Sequence, residues 1–358
     1  MMIGKIKFSS FKYLFLIISI TVFLSSFYFK NINISIIFLI SLLLSLLSIK
    51  YGIKKIYNKK LIQNIRPEGP SSHLKKRNTP TMGGIIIIPI FLLILSLINF
   101  PQLQEKILLI FSFLGFFMIG LYDDVLSIKN KINLGLNVKH KLLLQTLFAT
   151  IFTSLAWKNN YINSIITIPF NYQIDIKELI FPLAIFTIIA LSNSVNLTDG
   201  LDGLAAGCSS IVFCGLGIEI LLQNNPNLNI YSLLSFCMAG LCLGFLQFNK
   251  FPAKIFMGDT GSLCIGSIMG VICVLTNSYM TTLVFSGIFL TEALSVIFQV
   301  SFFKLTKLIY GKGKRILLMS PLHHHFELKG YHETSIVENF WKINVLLIIL
   351  GIVLKISF

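Results

Sequence analysis

The chain has 358 residues, of which 55% are hydrophobic and only 12% charged, and its mean hydropathy is +0.81. Soluble globular domains carry about a quarter charged residues, so this composition excludes a soluble fold and indicates an integral membrane protein. The net charge of +16 falls in the connections between apolar runs rather than along one amphipathic face, which argues against nucleic-acid binding and for a role in setting topology.

An apolar run at 11–29 opens the chain, and only Lys30 and Asn31 separate it from the next. Two residues make a tight turn between full spans, so this run is expected to be an interfacial or re-entrant helix; no A-x-A-like cleavage site follows it. Runs of spanning length then recur at 32–49, 83–100, 106–122, 142–157, 179–196, 204–222, 230–247, 263–276, 280–302 and 339–357. They predict an all-α, polytopic bundle of about ten transmembrane helices, leaving no room for a separate soluble core. The expected organisation is a single membrane domain, with 1–31 as an N-terminal segment and 32–358 as the bundle. Its polar connections lie at 50–82, 123–141, 196–203, 248–262 and 303–338. Six cysteines all sit within apolar runs without C-x-x-C spacing, and read as small apolar fillers rather than a disulfide framework or a zinc site.

Lys and Arg number nine in 50–77, four in 129–141, two in 250–254 and six in 304–329, whereas the intervening loops hold only Lys106, then Lys158 and Lys177, then none. The positive-inside rule therefore places the rich loops in the cytoplasm. Only six aspartates occur in the whole chain, and five stand at span ends: Asp123 with Asp124, Asp199 with Asp202, and Asp259. A carboxylate at the bilayer centre costs roughly 2.5–3.5 kcal/mol on insertion scales, so acids kept near lipid usually have partners or chemistry. Two predicted spans separate each cluster from the next. All three, and the triplet His323-His324-His325, therefore emerge on the cytoplasmic side, which argues for one site there.

Each cluster has its own chemistry. Adjacent Asp123 and Asp124 suit a divalent cation presenting a diphosphate, because Mg²⁺ takes oxygen ligands and shares its shell with phosphates. Lys129, Lys131, Lys139 and Lys141 follow and can neutralise phosphate charge. Asp199 and Asp202 are three apart, on one helical face, with Gly200 and Gly203 allowing close backbone approach; Asn193, Asn196 and Thr198 add polar groups. Either aspartate also suits the cap of the next helix, as does Asp259, which sits in Gly-Asp-Thr-Gly-Ser. Asn249 and Phe256 offer amide and aromatic character fit for a nucleobase, while Phe256 also suits plain interfacial packing. Consecutive histidines are poor zinc ligands, since neighbours rarely all face one ion, and are read as phosphate contacts or a proton carrier. Lys312, Lys314 and Arg315 add basic charge beside them. Lys75, Lys76 and Arg77 serve an anionic nucleotide or the anionic leaflet equally well.

Taken in order, Gly69-Pro70 with Ser72-His73, Thr79-Pro80-Thr81-Met82-Gly83-Gly84, Asp123-Asp124, the segment Asn196 to Leu204, Phe256-Met257-Gly258-Asp259 and Pro321-Leu322-His323-His324-His325 resemble the phospho-N-acetylmuramoyl-pentapeptide-transferase family. The resemblance runs from about residue 30 to the end. It implies a ten-span enzyme of the bacterial inner (cytoplasmic) membrane with a cytoplasm-facing active site, often a homodimer, within the polyprenyl-phosphate N-acetylhexosamine-phosphate transferases. It implies transfer of phospho-MurNAc-pentapeptide from UDP-MurNAc-pentapeptide to undecaprenyl phosphate, giving lipid I and UMP, with Mg²⁺ as cofactor. Carried over, Asp259 is the expected Mg²⁺ ligand, and Asp123, Asp124, Asp199, Asp259 and His324 form the catalytic set. Lys76, Gly200, Leu201, Asp202, Asn249 and Phe256 lie where the family recognises the uridine end. Lys139, Lys141, Asn196, His323 and His325 complete the expected substrate contacts. The chain departs from the family pattern at Ser127, where a lysine is common, and at Asn78, where a glycine is common; Lys129 or Lys131 is then the expected substitute for the missing lysine.

The exchange of one diphosphate for another is near thermoneutral, so the barrier is mostly electrostatic repulsion between two anions. A phosphate monoester has its second pKa at about 6, so the acceptor needs no strong base. That favours direct in-line attack over a covalent aspartyl-phosphate, though both routes are open. An N-acetylglucosamine-phosphate transferase of the same superfamily is the alternative reading. A CDP-alcohol phosphotransferase is disfavoured by Ala206, where that motif needs Arg, and a prenyltransferase by the lack of a third acid after Asp124. A transporter is disfavoured by charges at span ends rather than at the midplane and by the lack of internal repeats.

Overall fold

The computed structural model describes residues 9–59, 61–62, 76, 79–130, 135–168 and 172–356. Gly69, Pro70, Ser72, His73, Lys75, Arg77, Asn78 and Lys131 lie outside these described residues. Each of the ten expected runs is mostly helical over its described residues, and nine described helices are long and apolar enough to cross a membrane. The protein is an all-α, multi-pass membrane protein.

The N-terminal run is helical over Phe11–Tyr28. It forms α1 (Ser9–Tyr28), an uninterrupted helix of 20 residues, or about 30 Å at 1.5 Å per residue, enough to cross the hydrocarbon core. Leu14, Ile18 and Val22, four apart, are its buried stripe, while Leu16, Ile17, Phe23 and Leu24 face outward. The tight turn is made by Lys30 in the left-handed region, φ 50°, and by Asn31, whose side chain accepts from Asn33 N to cap the next helix. The near end of α1 reaches the loop after the eighth helix, where Lys250 Nζ lies 3.8 Å from the centre of the Phe11 ring.

Helix α2 (Ile32–Asn58) packs along α8 (Asn229–Asn249). Their backbones approach closely because Gly240 and Gly244 face Ser41 and Ser45: a Cβ on Gly240 would lie 2.6 Å from Phe38 O, and Ser45 Oγ donates to Leu241 O at 2.8 Å. Small residues of this kind let membrane helices pack where apolar burial gives no driving force. Helix α3 (Gly84–Leu97), with Pro89 inside it, is short. Next comes α4 (Leu103–Asn130), which continues two turns past its apolar run, so that Asp123 and Asp124 are helical residues. Then α5 (Val138–Lys158) starts at the Asn137 cap and carries Lys141 in its first turn.

At the opposite end a hairpin, β1 (Ile165–Ile168) with β2 (Tyr172–Asp175), pairs Ile165 with Asp175. Helices α6 (Ile180–Thr198), α7 (Leu204–Leu222) and α9 (Asp259–Thr276) follow with α8 between the last two. Nearly every residue of α7 and α9 is buried, and the six cysteines are buried and free. A correction falls at 280–302. Instead of one span there is a short α10 (Tyr279–Phe285) and a long α11 (Gly287–Tyr310), broken at Ser286. A Ser-Gly pair is a common site for such a break, and here Gly287 packs against Leu347 of the last helix. Finally α12 (Leu322–Leu328) carries the histidines, and α13 (Glu333–Ile356) closes the bundle.

Candidate active site

The acids meet where α4, α5, α6 and α9 end together. Helices α4 and α9 cross at Gly120, where a Cβ would stand 2.2 Å from Asp259 O, so only glycine permits this separation. One turn on, Asp124 caps α9 from outside. Its Oδ1 accepts from Asp259 N (3.1 Å), and its Oδ2 accepts from Thr260 N (2.9 Å) and Thr260 Oγ1 (2.5 Å). Gly258, at φ 73°, lets the chain turn against this carboxylate; a Cβ there would lie 2.6 Å from Asp124 Oδ2. Both oxygens of Asp124 are thus committed to the start of α9, and the capping expected of Asp259 is performed by another residue.

Asp123 and Asp259 share one cation. Lys141 Nζ is 2.9 Å from Asp123 Oδ1 and 2.5 Å from Asp259 Oδ2. Leu136 N also donates to Asp123 Oδ1 at 2.9 Å. Asn196 Nδ2 donates to Asp259 Oδ1 (2.8 Å) and to Ser262 Oγ (2.9 Å). Beside them, Asp199 ends α6. Burial, then the negative charges of Asp259, Asp124 and Asp202, push its carboxyl up to about 8, against a hydrogen bond from the Gly258 backbone. Lys141 thus faces the two carboxylates of Asp123 and Asp259, and the raised Asp199 carboxyl lies close enough to feel the negative charge of Asp259.

A second group lies next to the first. Lys76 Nζ is 2.6 Å from Asp202 Oδ1 and 2.6 Å from Glu333 Oε1, and Glu333 Oε1 also accepts from Asp202 N at 2.7 Å. Burial works against the Lys76 ammonium, but Asp202 and Glu333 outweigh it and hold its pKa above the ordinary lysine value. Asp202 Oδ2 accepts from Ala253 N (2.9 Å), and Asn249 accepts from Gly203 N (3.1 Å) and donates to Ile255 O (2.9 Å). The Asn249 amide thus ties two backbone segments together. Leu201 is buried, while Phe256 is half-buried, its backbone bonded to Pro80 O and Gly83 N.

The three histidines take three different positions. His323 is fully buried, with Nδ1 3.1 Å from Glu292 Oε2, and its Nε2 is packed against Gly200, where a Cβ would stand 2.2 Å away. His324 Nδ1 pairs with Glu327 Oε2 at 2.8 Å. His325 Nδ1 accepts from Leu318 N at 3.1 Å, and burial, then Lys329, lowers its pKa. Of the expected phosphate-binding lysines, Lys141 is inside the acid cluster, whereas Lys139 and Lys129 are exposed. Five side chains in these contacts lie outside the expected set: Thr260, Ser262, Glu292, Glu327 and Glu333. Glu292 had a signal, being the one carboxylate inside the 280–302 run. Glu333 had none, because an acid at a helix start is ordinarily a dipole partner.

Curated proteins with this sequence pattern are close. A phospho-N-acetylmuramoyl-pentapeptide-transferase of Prochlorococcus marinus subsp. pastoris is 56% identical over 358 residues, covering 100% of both chains. One from Synechococcus sp. (strain CC9311) is 44% identical over 337 residues, covering 93% of this chain and 90% of that one. The chain belongs to the phospho-N-acetylmuramoyl-pentapeptide-transferase family. The signature 1 pattern of that family matches residues 76–88, from Lys76 into α3. The Glycosyl transferase family 4 model matches residues 106–277, which contain all five clustered aspartates. A member of this transferase family thus keeps its acids on α4 to α9 and its histidines on the separate α12.

Proposed function

We propose that the protein transfers phospho-MurNAc-pentapeptide from UDP-MurNAc-pentapeptide to undecaprenyl phosphate, giving lipid I and UMP, in the bacterial inner membrane with this site facing the cytoplasm. Membership of the transferase family supports the reaction, and the lysine-rich loops support the orientation. The observation that carries the reading is the convergence of Asp123 and Asp259 on Lys141, with the buried Asp199 carboxyl beside Asp259. An anionic pocket with one ammonium at a membrane boundary suits a reaction in which a lipid that cannot leave the bilayer meets a nucleotide that cannot enter it.

The donor set fits Mg²⁺. Among the described residues no three His, Cys, Asp or Glu side chains form a ready metal cage, but Mg²⁺ ordinarily uses one or two carboxylates and completes its shell with water and phosphate. Asp259 is the proposed direct ligand, with Asp123 and Asp199 beside it. When bound, the cation supplies neutralising charge to the diphosphate and to the departing UMP. For their part, Lys141 neutralises the approaching anions, Asn196 fixes the Asp259 carboxylate, and Asp124 holds the start of α9 in place. A lipid phosphate oxygen forms the new bond to the sugar-linked phosphorus as the bond to UMP breaks, and UMP leaves with the electron pair. Asp123 orients the attacking phosphate in this direct route. His324 and His325 are proposed diphosphate contacts.

The test adds purified protein to UDP-MurNAc-pentapeptide, undecaprenyl phosphate and Mg²⁺ and measures UMP. Release is expected, absent when EDTA replaces Mg²⁺. Equal activity with UDP-N-acetylglucosamine would reassign the substrate, and trapping of a kinetically competent phospho-MurNAc-enzyme would replace direct attack. Two copies are proposed to associate, which native mass spectrometry from a mild detergent checks.

A further inference from the structure

We infer that Glu333 is a positioning residue for the nucleoside end of the donor. It fastens Lys76 to the 200–203 turn, at the end of the site where the family resemblance already puts the uridine. This rests on the reading above that the donor is a uridine diphosphate.

Three remote parts of the chain meet at one oxygen. Glu333 Oε1 accepts both from Lys76 Nζ (2.6 Å) and from Asp202 N (2.7 Å), and the second carboxylate on the same ammonium is Asp202 Oδ1 (2.6 Å). All three side chains are nearly withdrawn from solvent, at 14%, 2% and 7% exposure for Lys76, Asp202 and Glu333. Lys76 stands before α3 and Glu333 at the start of α13, whose first-turn N–H groups favour an acid there. Without Glu333, Asp202 N would lose its acceptor and Lys76 one of its two anchors.

Charge decides what this lysine reads. Two carboxylates against one ammonium give the group a net charge of −1, which disfavours a diphosphate at close range. An ammonium has three donors, and two are spent on Asp202 and Glu333. The third is a fixed, charge-compensated donor, matched to a carbonyl or hydroxyl. Lys141 is also held by two carboxylates, but its partners Asp123 and Asp259 belong to the proposed metal centre, where a divalent cation changes the balance. No such group adjoins Lys76 among the described residues. The two lysines thus divide the donor between them, Lys141 at the diphosphate and Lys76 at the nucleoside.

Kinetics and binding of the full-length enzyme in detergent test this. For Glu333→Ala, KM for UDP-MurNAc-pentapeptide should rise about tenfold, equivalent to about 1.4 kcal/mol, with kcat within about threefold and KM for undecaprenyl phosphate unchanged. Glu333→Gln, which keeps an acceptor oxygen, should recover most of the loss. Uridine and UMP, as competitive inhibitors, should weaken by the same factor. A loss of kcat at constant KM would show a merely structural role and overturn the inference, as would weakening of UMP with uridine unaffected. If Glu333→Ala does not fold, the charge-preserving Glu333→Asp carries the test, since its shorter side chain should still weaken uridine and UMP equally; unchanged affinity for both would overturn the inference. Wild-type protein that releases no UMP would instead refute the reaction itself.

Discussion

The two ends of the bundle hold buried carboxylates in opposite states. At the end away from the acid cluster, Glu219 of α7 is 1% exposed, and its oxygens are matched by Ser278 Oγ (2.6 Å), Gln223 Nε2 (3.0 Å) and Lys355 Nζ (3.6 Å). One negative charge meets one positive charge and two neutral donors, so nothing is left over. At the other end Asp123 and Asp259 share Lys141, and burial with the charges of Asp259, Asp124 and Asp202 pushes the neighbouring Asp199 carboxyl up to about 8. A satisfied buried acid fixes helices; an under-neutralised group of acids draws a cation or a cationic transition state. Asp124 shows that the distinction runs inside the site as well, since its oxygens are spent on the N-terminus of α9 as a cap's would be, at the residue next to Asp123.

Substitutions at the two ends should separate these states. The largest effect is expected for Asp259→Asn, which removes the charge that Lys141 and Asn196 hold in place: kcat should fall by about a thousandfold or more, the scale of losing a preorganised electrostatic contact, at every Mg²⁺ concentration in a UMP-release assay. Activity restored by excess Mg²⁺ would show that Asp259 is not needed for the chemistry itself. Next, Asp124→Asn should lower stability by about 1–3 kcal/mol, the cost of a buried polar group left mismatched, and lower activity with it; a thermal melt as stable as wild type would remove Asp124 from the capping role.

A smaller effect concerns pH. Because the Asp199 carboxyl is pushed up to about 8 from an ordinary 3.8, the folded protein holds a proton there that the unfolded chain gives up near pH 4. Folded stability from this group therefore falls as pH rises through the window from about 4 to about 8. Melts in EDTA across pH 6–9 should show wild type losing stability with rising pH and Asp199→Asn doing so less steeply; parallel slopes would mean that Asp199 is ionised throughout. The smallest effects are expected where charge is balanced or exposed. Glu219→Gln should leave kcat within about twofold while costing about 1 kcal/mol of stability, and Asp175→Asn, in an exposed strand of the hairpin, should change neither.

Much of this was legible from composition and spacing. Apolar length located most of the long described helices, since a helix of about 20 residues is what a bilayer requires. Span parity brought Asp123, Asp199 and Asp259 to one end before any contact was visible. Loop length does not reveal how α1 joins α2, because a left-handed residue at Lys30 and a side-chain cap at Asn31 shorten the connection. The break at Ser286 leaves no mark in hydropathy because both flanking segments are apolar.

The five aspartates also divide in a manner no one-dimensional pattern displays. Asp123 and Asp124 are neighbours in sequence, yet successive residues of a helix point about 100° apart, so one faces Lys141 and the other the backbone of α9. Likewise, Glu333 reads as a helix-start acid, and only the meeting of positions 76, 202 and 333 makes it part of a ligand group. Chain-order hydrophobicity sets which residues reach the same end of the membrane, because the cost of burying charge is local to each span. Which of those residues share a proton, a lysine or a backbone amide depends on distances of a few ångströms between distant segments, and helix packing alone sets those.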